Sequence, residues 1–219
     1  MTLDPASPGK HLGAPLGVEG ALFYPGFLSP TEQAGMRDDL RQRLRQAPFY
    51  RPAMPRTGKP LSVQMTNLGP QGWYCDRHGY RYIDRHPATG APWPAMPPGV
   101  IQIWHDLTGS PTPPDACLVN YYDAGARMGL HRDQDEQDLS MPILSISLGD
   151  TAVFRLGGPN RRDKTRSLRL SSGDVLVLAG PARACFHGID RILPGTSGLL
   201  PQGGRLNLTI RRARRPPGG

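Results

Sequence analysis

The chain has 219 residues, of which 37% are hydrophobic and 20% charged, and a formal net charge of +8. That is enough chain to bury a sizeable core, and too apolar a composition for a charge-dominated disordered polymer. No apolar run approaches the ~20 residues of a bilayer-spanning helix, and MTLDPASPGKHLGAP lacks the basic-then-apolar order of a secretory leader.

The charge is unevenly spread. Residues 1–150 hold 13 basic and 15 acidic side chains, whereas residues 151–219 hold 13 and 3. A basic C-terminal third suits an anionic partner, and solubility alone accounts for it equally well. The three cysteines, Cys75, Cys117 and Cys185, form neither a full disulfide framework nor a CxxC metal pattern. A cytoplasmic, reducing setting is expected, with no membrane partner.

Taken in order, residues 1–16 are expected to be a flexible lead-in. SPTE then opens a helix: Ser29 caps, Pro30 takes the first position, and Glu32 closes a capping box. Met36, Leu40, Leu44 and Ala47 follow at helical spacing, and Pro48 ends the helix. Its apolar stripe is expected to lie against a sheet.

Residues 49–99 alternate short strand-like pieces with turns rich in Pro and Gly, and form a flap-like region. Trp73, Tyr74, Tyr80 and Tyr82 are interleaved there with Arg77, Arg81 and Arg85. Rings among guanidiniums hold nucleic acid by stacking and phosphate contact. A strand pair with ordinary rings in its core is the other reading. From residue 116 onward, ACLVNYY, PILSISLG, TAVFRLGG, SLRLSSGDVLVLAG and RLNLTIRR are strand candidates with no long helix between them. This predicts an antiparallel all-β barrel or double-sheet sandwich.

HRDQDE begins at His131. In an extended segment residues i and i+2 share a face, so His131 and Asp133 point into one space. Two imidazoles and a carboxylate form a facial triad that leaves iron positions open. Among the other histidines, His187, just beyond the buried GDVLVLAG strand, is the preferred third ligand. Zinc suits the same atoms. In RLNLTIRR, Arg205, Asn207, Thr209 and Arg211 share one face and Leu206, Leu208 and Ile210 the other. Paired guanidiniums at a metal pocket suit a small dicarboxylate. Asn120 and Tyr122, on one face of CLVNYY, add hydrogen-bonding groups. A solvated β face is the alternative for the two arginines. Arg212, Arg214 and Arg215 are a separate basic group, expected near solvent or a nucleic-acid backbone, and residues 213–219 are the basic tail.

From GALFYPGFLSP to LNLTIRR the sequence resembles the AlkB family of Fe(II)- and 2-oxoglutarate-dependent dioxygenases. The most specific stretches are SVQMTNLGPQGWYCDRHGYRY, APWPAMP, DACLVNYYDAGARMGLHRDQDEQD and RLNLTIRR. The resemblance implies one domain over residues 17–212. Its fold would be mainly β, a double-stranded β-helix (jelly roll) with N-terminal helical support and a nucleotide-recognition lid over about 49–99. It implies His131, Asp133 and His187 as iron ligands, and Asn120, Tyr122, Arg205, Asn207 and Arg211 around 2-oxoglutarate. Trp73 matches a ring that stacks on a flipped base opposite His131. Asp135 matches a residue that reads the base's exocyclic amine. Met65 matches a pocket-lining position, and Tyr80 and Arg161 match positions that contact DNA or shape the pocket.

The implied reaction is oxidative demethylation of 1-methyladenine and 3-methylcytosine in DNA, single-stranded DNA included. It consumes O2 and 2-oxoglutarate and releases formaldehyde, succinate and CO2. Alkylated RNA is a further candidate substrate, and a monomer is the expected form. Tyr74 beside Trp73, RTGKPLS, the arginine-rich RLGGPNRRDKTR and the basic tail depart from the family pattern. A peptide-directed oxygenase and a noncatalytic nucleic-acid-binding β domain are the competing classes.

Overall fold

A computed structural model describes residues 13–215. The elements run β1 (Ala14–Pro15), β2 (Ala21–Tyr24), α1 (Pro30–Arg43), β3 (Gln64–Leu68), β4 (Gly72–Asp76), β5 (Gly79–Ile83), α2 (Pro98–Thr108), β6 (Ala116–Tyr122) and β7 (Met128–His131). They continue with β8 (Ile143–Gly149), β9 (Thr151–Leu156), β10 (Arg166–Leu170), β11 (Val175–Leu178), a 3-10 turn over Gly180–Ala184, β12 (His187–Leu193) and β13 (Arg205–Arg211). A seven-stranded sheet is ordered β1-β2-β11-β8-β13-β6-β3, a four-stranded sheet β10-β9-β12-β7, and β4 and β5 form a separate hairpin. The strand pairs within these sheets are antiparallel, as in a jelly roll.

Period-two patterning splits the large sheet into two chemically different faces. Leu206, Leu208 and Ile210 of β13 join Cys117 and Val119 of β6, Leu144, Ile146 and Leu148 of β8, and both helices in one core cluster. The alternate positions face the small sheet. There Leu118 and Tyr122 of β6 and Leu176 and Leu178 of β11 meet Phe154, Leu156 and Ile189. The polar residues of β13 are on this inner side, between the sheets.

The start of α1 is as the sequence predicts: Ser29 accepts from the Glu32 amide, and the Glu32 carboxylate accepts from the Ser29 amide. The helix ends earlier than expected, at Arg43 rather than Ala47. Arg45 and Gln46 close tight bonds to Gln42 and Arg43, and the residue before Pro48 is pushed out of helical geometry. Met36 and Leu40 still meet the sheet.

α2 is an element that the Pro-rich reading passes over. Pro98 occupies its first turn, Gly109 closes it at φ 63°, and Val100, Ile103, Trp104 and Leu107 form its buried stripe. Burying each of these large apolar side chains contributes roughly 1.5–3 kcal/mol.

Three further expectations change in detail. Ala14 and Pro15, placed in the lead-in, pair with Phe23 and Leu22 of β2; residues 1–12 lie outside the described residues. Within 49–99, β3 is an integral strand of the large sheet, so the portion standing apart is the β4–β5 hairpin. The tail is fastened as far as it is described. Ala213 and Arg214 donate backbone N–H bonds to Asp115, and the Arg214 side chain donates to Gln71. Residues 216–219 lie outside the described residues.

Candidate active site

β7 and β12 pair so that His187 stands directly opposite His131, and Asp133 follows two residues beyond the end of β7. His131 Nε2 lies 3.9 Å from Asp133 Oδ1, and His187 Nε2 lies 3.6 Å from Asp133 Oδ2. One ligand atom from each residue falls within 4.8 Å of the others. Each imidazole turns Nδ1 to a backbone carbonyl, His131 to Gly129 at 3.0 Å and His187 to Cys185 at 3.1 Å. With the proton held at Nδ1, both Nε2 lone pairs are free for a metal. Burial, then the neighbouring His187, lowers the His131 pKa and favours its neutral, ligating form. Burial raises the Asp133 carboxyl, but Arg211 and the two histidines outweigh it and hold the group well below the usual carboxylate range. Two imidazole nitrogens with an ionised carboxylate fit Fe(II).

The inner face of β13 continues the site away from these three residues. Arg211 Nη2 donates to Asp133 Oδ1 at 2.9 Å, and its Nη1 donates to Glu136 Oε1 at 3.1 Å and to the Tyr82 hydroxyl at 3.3 Å. Arg205, at the other end of the strand, is 0% exposed. Its guanidinium donates to the Leu170 carbonyl at 3.0 Å and to Ser147 Oγ at 2.7 Å. Burial lowers the Arg205 pKa to about 10, with Tyr122 and Asp174 opposing the shift, so it is charged at neutral pH. Asn207 is oriented by bonds to Ser145 and the Ile146 carbonyl.

Among the described residues, the buried side-chain polar atoms without a protein partner are Asn120 Oδ1, Arg205 Nε and Arg211 Nε. All three residues line one cavity of about 550 Å³, as do Tyr122, Asn207 and the His-Asp-His set. A small anionic ligand with several oxygen atoms fits the two orphaned guanidinium donors, whereas Asn120 Oδ1 is an acceptor and calls for a donor.

The same cavity is also lined by Met65, Trp73, Tyr80, Asp135 and Arg161. Trp73 Nε1 donates to Asp135 Oδ2 at 2.9 Å. Tyr80, 57% exposed, stacks on Trp73 with centroids 5.6 Å apart. Arg161 and Arg132 each stand over the Phe186 ring, at 5.7 and 5.6 Å. The residues that the resemblance implies for iron, 2-oxoglutarate and the base thus line one cavity, whereas Tyr74, Tyr82, Arg77, Arg81 and Arg85 of the flap do not; Arg81 pairs with Asp76 and Tyr82 with Glu136 instead.

It adds a buried network that the sequence reading lacks. The Glu136 side chain accepts from Tyr82 at 2.6 Å and from Arg183 at 2.6 Å, as well as from Arg211. Arg183 also donates to the Asp133 backbone carbonyl at 2.5 Å. Glu136 stands in the quoted HRDQDE run, where it is indistinguishable from a solvated acid; Arg183 carries no local signal.

The model of the 2OG-Fe(II) oxygenase superfamily matches residues 20–211. An alpha-ketoglutarate-dependent dioxygenase AlkB homolog of Caulobacter vibrioides is 59% identical over 199 residues, which is 90% of this chain and 89% of that protein. The chain belongs to the AlkB family. The alpha-ketoglutarate-dependent dioxygenase AlkB of Escherichia coli is 43% identical over 202 residues, covering 89% of this chain and 90% of that one. A solved structure of OsALKBH1 aligns with a TM-score of 0.74 at 35% identity, over 88% of this chain and 97% of the other. This AlkB-family protein is accordingly an Fe(II)- and 2-oxoglutarate-dependent dioxygenase, with O2 as its second cosubstrate. No helix among the described residues is long and apolar enough to cross a membrane.

Proposed function

We propose that this enzyme restores alkylated bases in DNA, 1-methyladenine and 3-methylcytosine foremost, by oxidative demethylation. The observation that carries the reading is the sharing of one cavity by the His-Asp-His set and the Trp73–Asp135 pair. A ring able to cover a base and a carboxylate able to accept from an exocyclic amine share a cavity with an oxidising centre.

His131, Asp133 and His187 would hold Fe(II), which with 2-oxoglutarate and O2 would supply the oxidising power to hydroxylate an N-linked methyl group, lost as formaldehyde. The remaining work belongs to the chain. Arg205, with Tyr122 beside it, receives the distal carboxylate of 2-oxoglutarate. Asn120, Asn207 and Arg211 orient the end nearer the iron. A base stacked in a duplex cannot reach this cavity, so it is flipped out. Trp73 and His131 replace the lost stacking on its two faces. Met65 closes the apolar wall, while Tyr80 and Arg161 grip the flanking backbone. Asp135 must exchange the Trp73 indole N–H for the base's amine.

Three free, buried cysteines suit a reducing cytoplasm, where we place the enzyme, acting as a monomer. Methylated DNA and RNA oligonucleotides, offered together and read by mass spectrometry with iron and 2-oxoglutarate omission controls, test reaction and substrate together. Loss of 14 Da from methylated DNA only in the complete mixture is expected, 14 Da being about the mass of one CH2. No change in any methylated base would reject the assignment, and turnover confined to RNA would move it to RNA.

A further inference from the structure

The β4–β5 hairpin carries Trp73, yet it is a two-stranded ribbon outside both sheets. Such a ribbon is marginally stable by itself and does not hold a ring in one place. Beside the indole bond to Asp135, the Trp73 backbone is tied down by a side chain from the large sheet. Asn67 of β3 is 0% exposed. Its Oδ1 accepts from the Trp73 backbone N–H at 3.0 Å, and its Nδ2 donates to the Trp73 carbonyl at 3.1 Å. In an antiparallel pair the N–H and C=O of one residue point to the same side. Those of Trp73 therefore point away from β5 and toward β3, where no ladder continues. The Asn67 carboxamide, with the donor and acceptor of a peptide group, supplies the missing ladder step. Tyr50 adds its hydroxyl, which donates to the same Trp73 carbonyl at 3.4 Å.

We propose that Asn67 is a positioning residue for demethylation, setting the place of the Trp73 ring over the cavity through its backbone. The proposal rests on the reading of Trp73 as the ring that covers the flipped base. Asn67 does not line the cavity; its effect on a base passes entirely through Trp73. Its neighbours on β3 make the linkage stiff. Thr66 donates to the Ala47 carbonyl, and Met65 exchanges two backbone bonds with Tyr50. The hairpin thus takes its register from a strand whose own position is fixed on both sides.

A double-mutant cycle separates this role from a merely structural one. Asn67→Leu keeps the number of side-chain heavy atoms and removes both bonds. With the iron-loaded enzyme and a methylated oligonucleotide, it is expected to lower kcat/KM roughly tenfold, the usual worth of an unsatisfied buried polar group. In the Trp73→Ala background the same change is expected to cost nothing further. An equal loss in both backgrounds, or no loss in the parent enzyme, overturns the proposal. If Trp73→Ala itself leaves kcat/KM unchanged, the base-covering reading fails, and this proposal fails with it. Should Asn67→Leu not fold, Asn67→Asp, which keeps the acceptor but turns a second oxygen on the Trp73 carbonyl, runs the same cycle with the same outcomes.

Discussion

Arg211 holds Asp133 and Glu136 at once, donating to one carboxylate at 2.9 Å and to the other at 3.1 Å. A side chain expected to face 2-oxoglutarate is therefore also the counter-ion of a metal ligand. Replacing Arg211 by Met strips the buried Asp133 of its guanidinium partner, while Glu136 keeps Arg183 and Tyr82. Such a loss costs about 3–5 kcal/mol. Denaturant unfolding of the metal-free protein is expected to show it, and an unchanged midpoint would mean that Asp133 finds another partner.

Asp133→Ala removes the oxygen ligand between the two imidazoles. Iron retained after desalting should fall, and turnover should drop by at least about a hundredfold, since even outer partners of metal ligands are worth 10–100-fold. Normal iron content with full activity would refute the ligand assignment.

Arg205 lies buried among carbonyls and hydroxyls, where a carboxylate is its natural counter-charge. Arg205→Ala is expected to raise the KM for 2-oxoglutarate by roughly a hundredfold. Arg205→Lys should not restore it, because an ammonium lacks the planar fork. An unaltered 2-oxoglutarate dependence in the alanine variant would remove Arg205 from the cosubstrate site.

Trp73→Ala should lower kcat/KM for methylated DNA roughly tenfold to a hundredfold, the worth of one stacked base. Decay of 2-oxoglutarate without a nucleic-acid substrate should change much less. Equal loss of both reactions would point to collapse of the pocket instead.

Glu136 provides a pH test on a carboxylate that is not itself one of the three ligands. Burial raises its pKa, but Arg211 and Arg183 outweigh that and leave it below its ordinary value. A carboxylate depressed on folding stabilises the protein above the unfolded value, about pH 4.3, and that contribution fades as pH falls through the folded value. Glu136→Gln should therefore cost about 3 kcal/mol or more at pH 7, and progressively less below about pH 4. Urea melts across this range measure it; a pH-independent difference would mean that Glu136 is not ionised in the fold.

What was legible in the chain was what repeats locally or bonds at short range. The capping box spans three residues, and the two faces of RLNLTIRR alternate because one meets apolar side chains and the other a polar cavity. His131 and Asp133 are two residues apart, so strand geometry alone pairs them. The Glu136 network was not legible, since its partners are 47, 54 and 75 residues away. α2 was hidden because prolines that look like breakers sit at a helix start, where proline is welcome. Asn67 gave no sign, since an amide that imitates a backbone matters only once a hairpin has folded over it.

β10 is the outermost strand of the small sheet, and it carries Arg166 and Arg169 exposed, with Lys164 just ahead of it. An edge strand offers unpaired backbone groups to any passing chain, and fixed positive charges along it discourage such pairing. Some of the basic excess in the last third of the chain therefore repels rather than recruits: it keeps one copy of the small sheet from being extended by another.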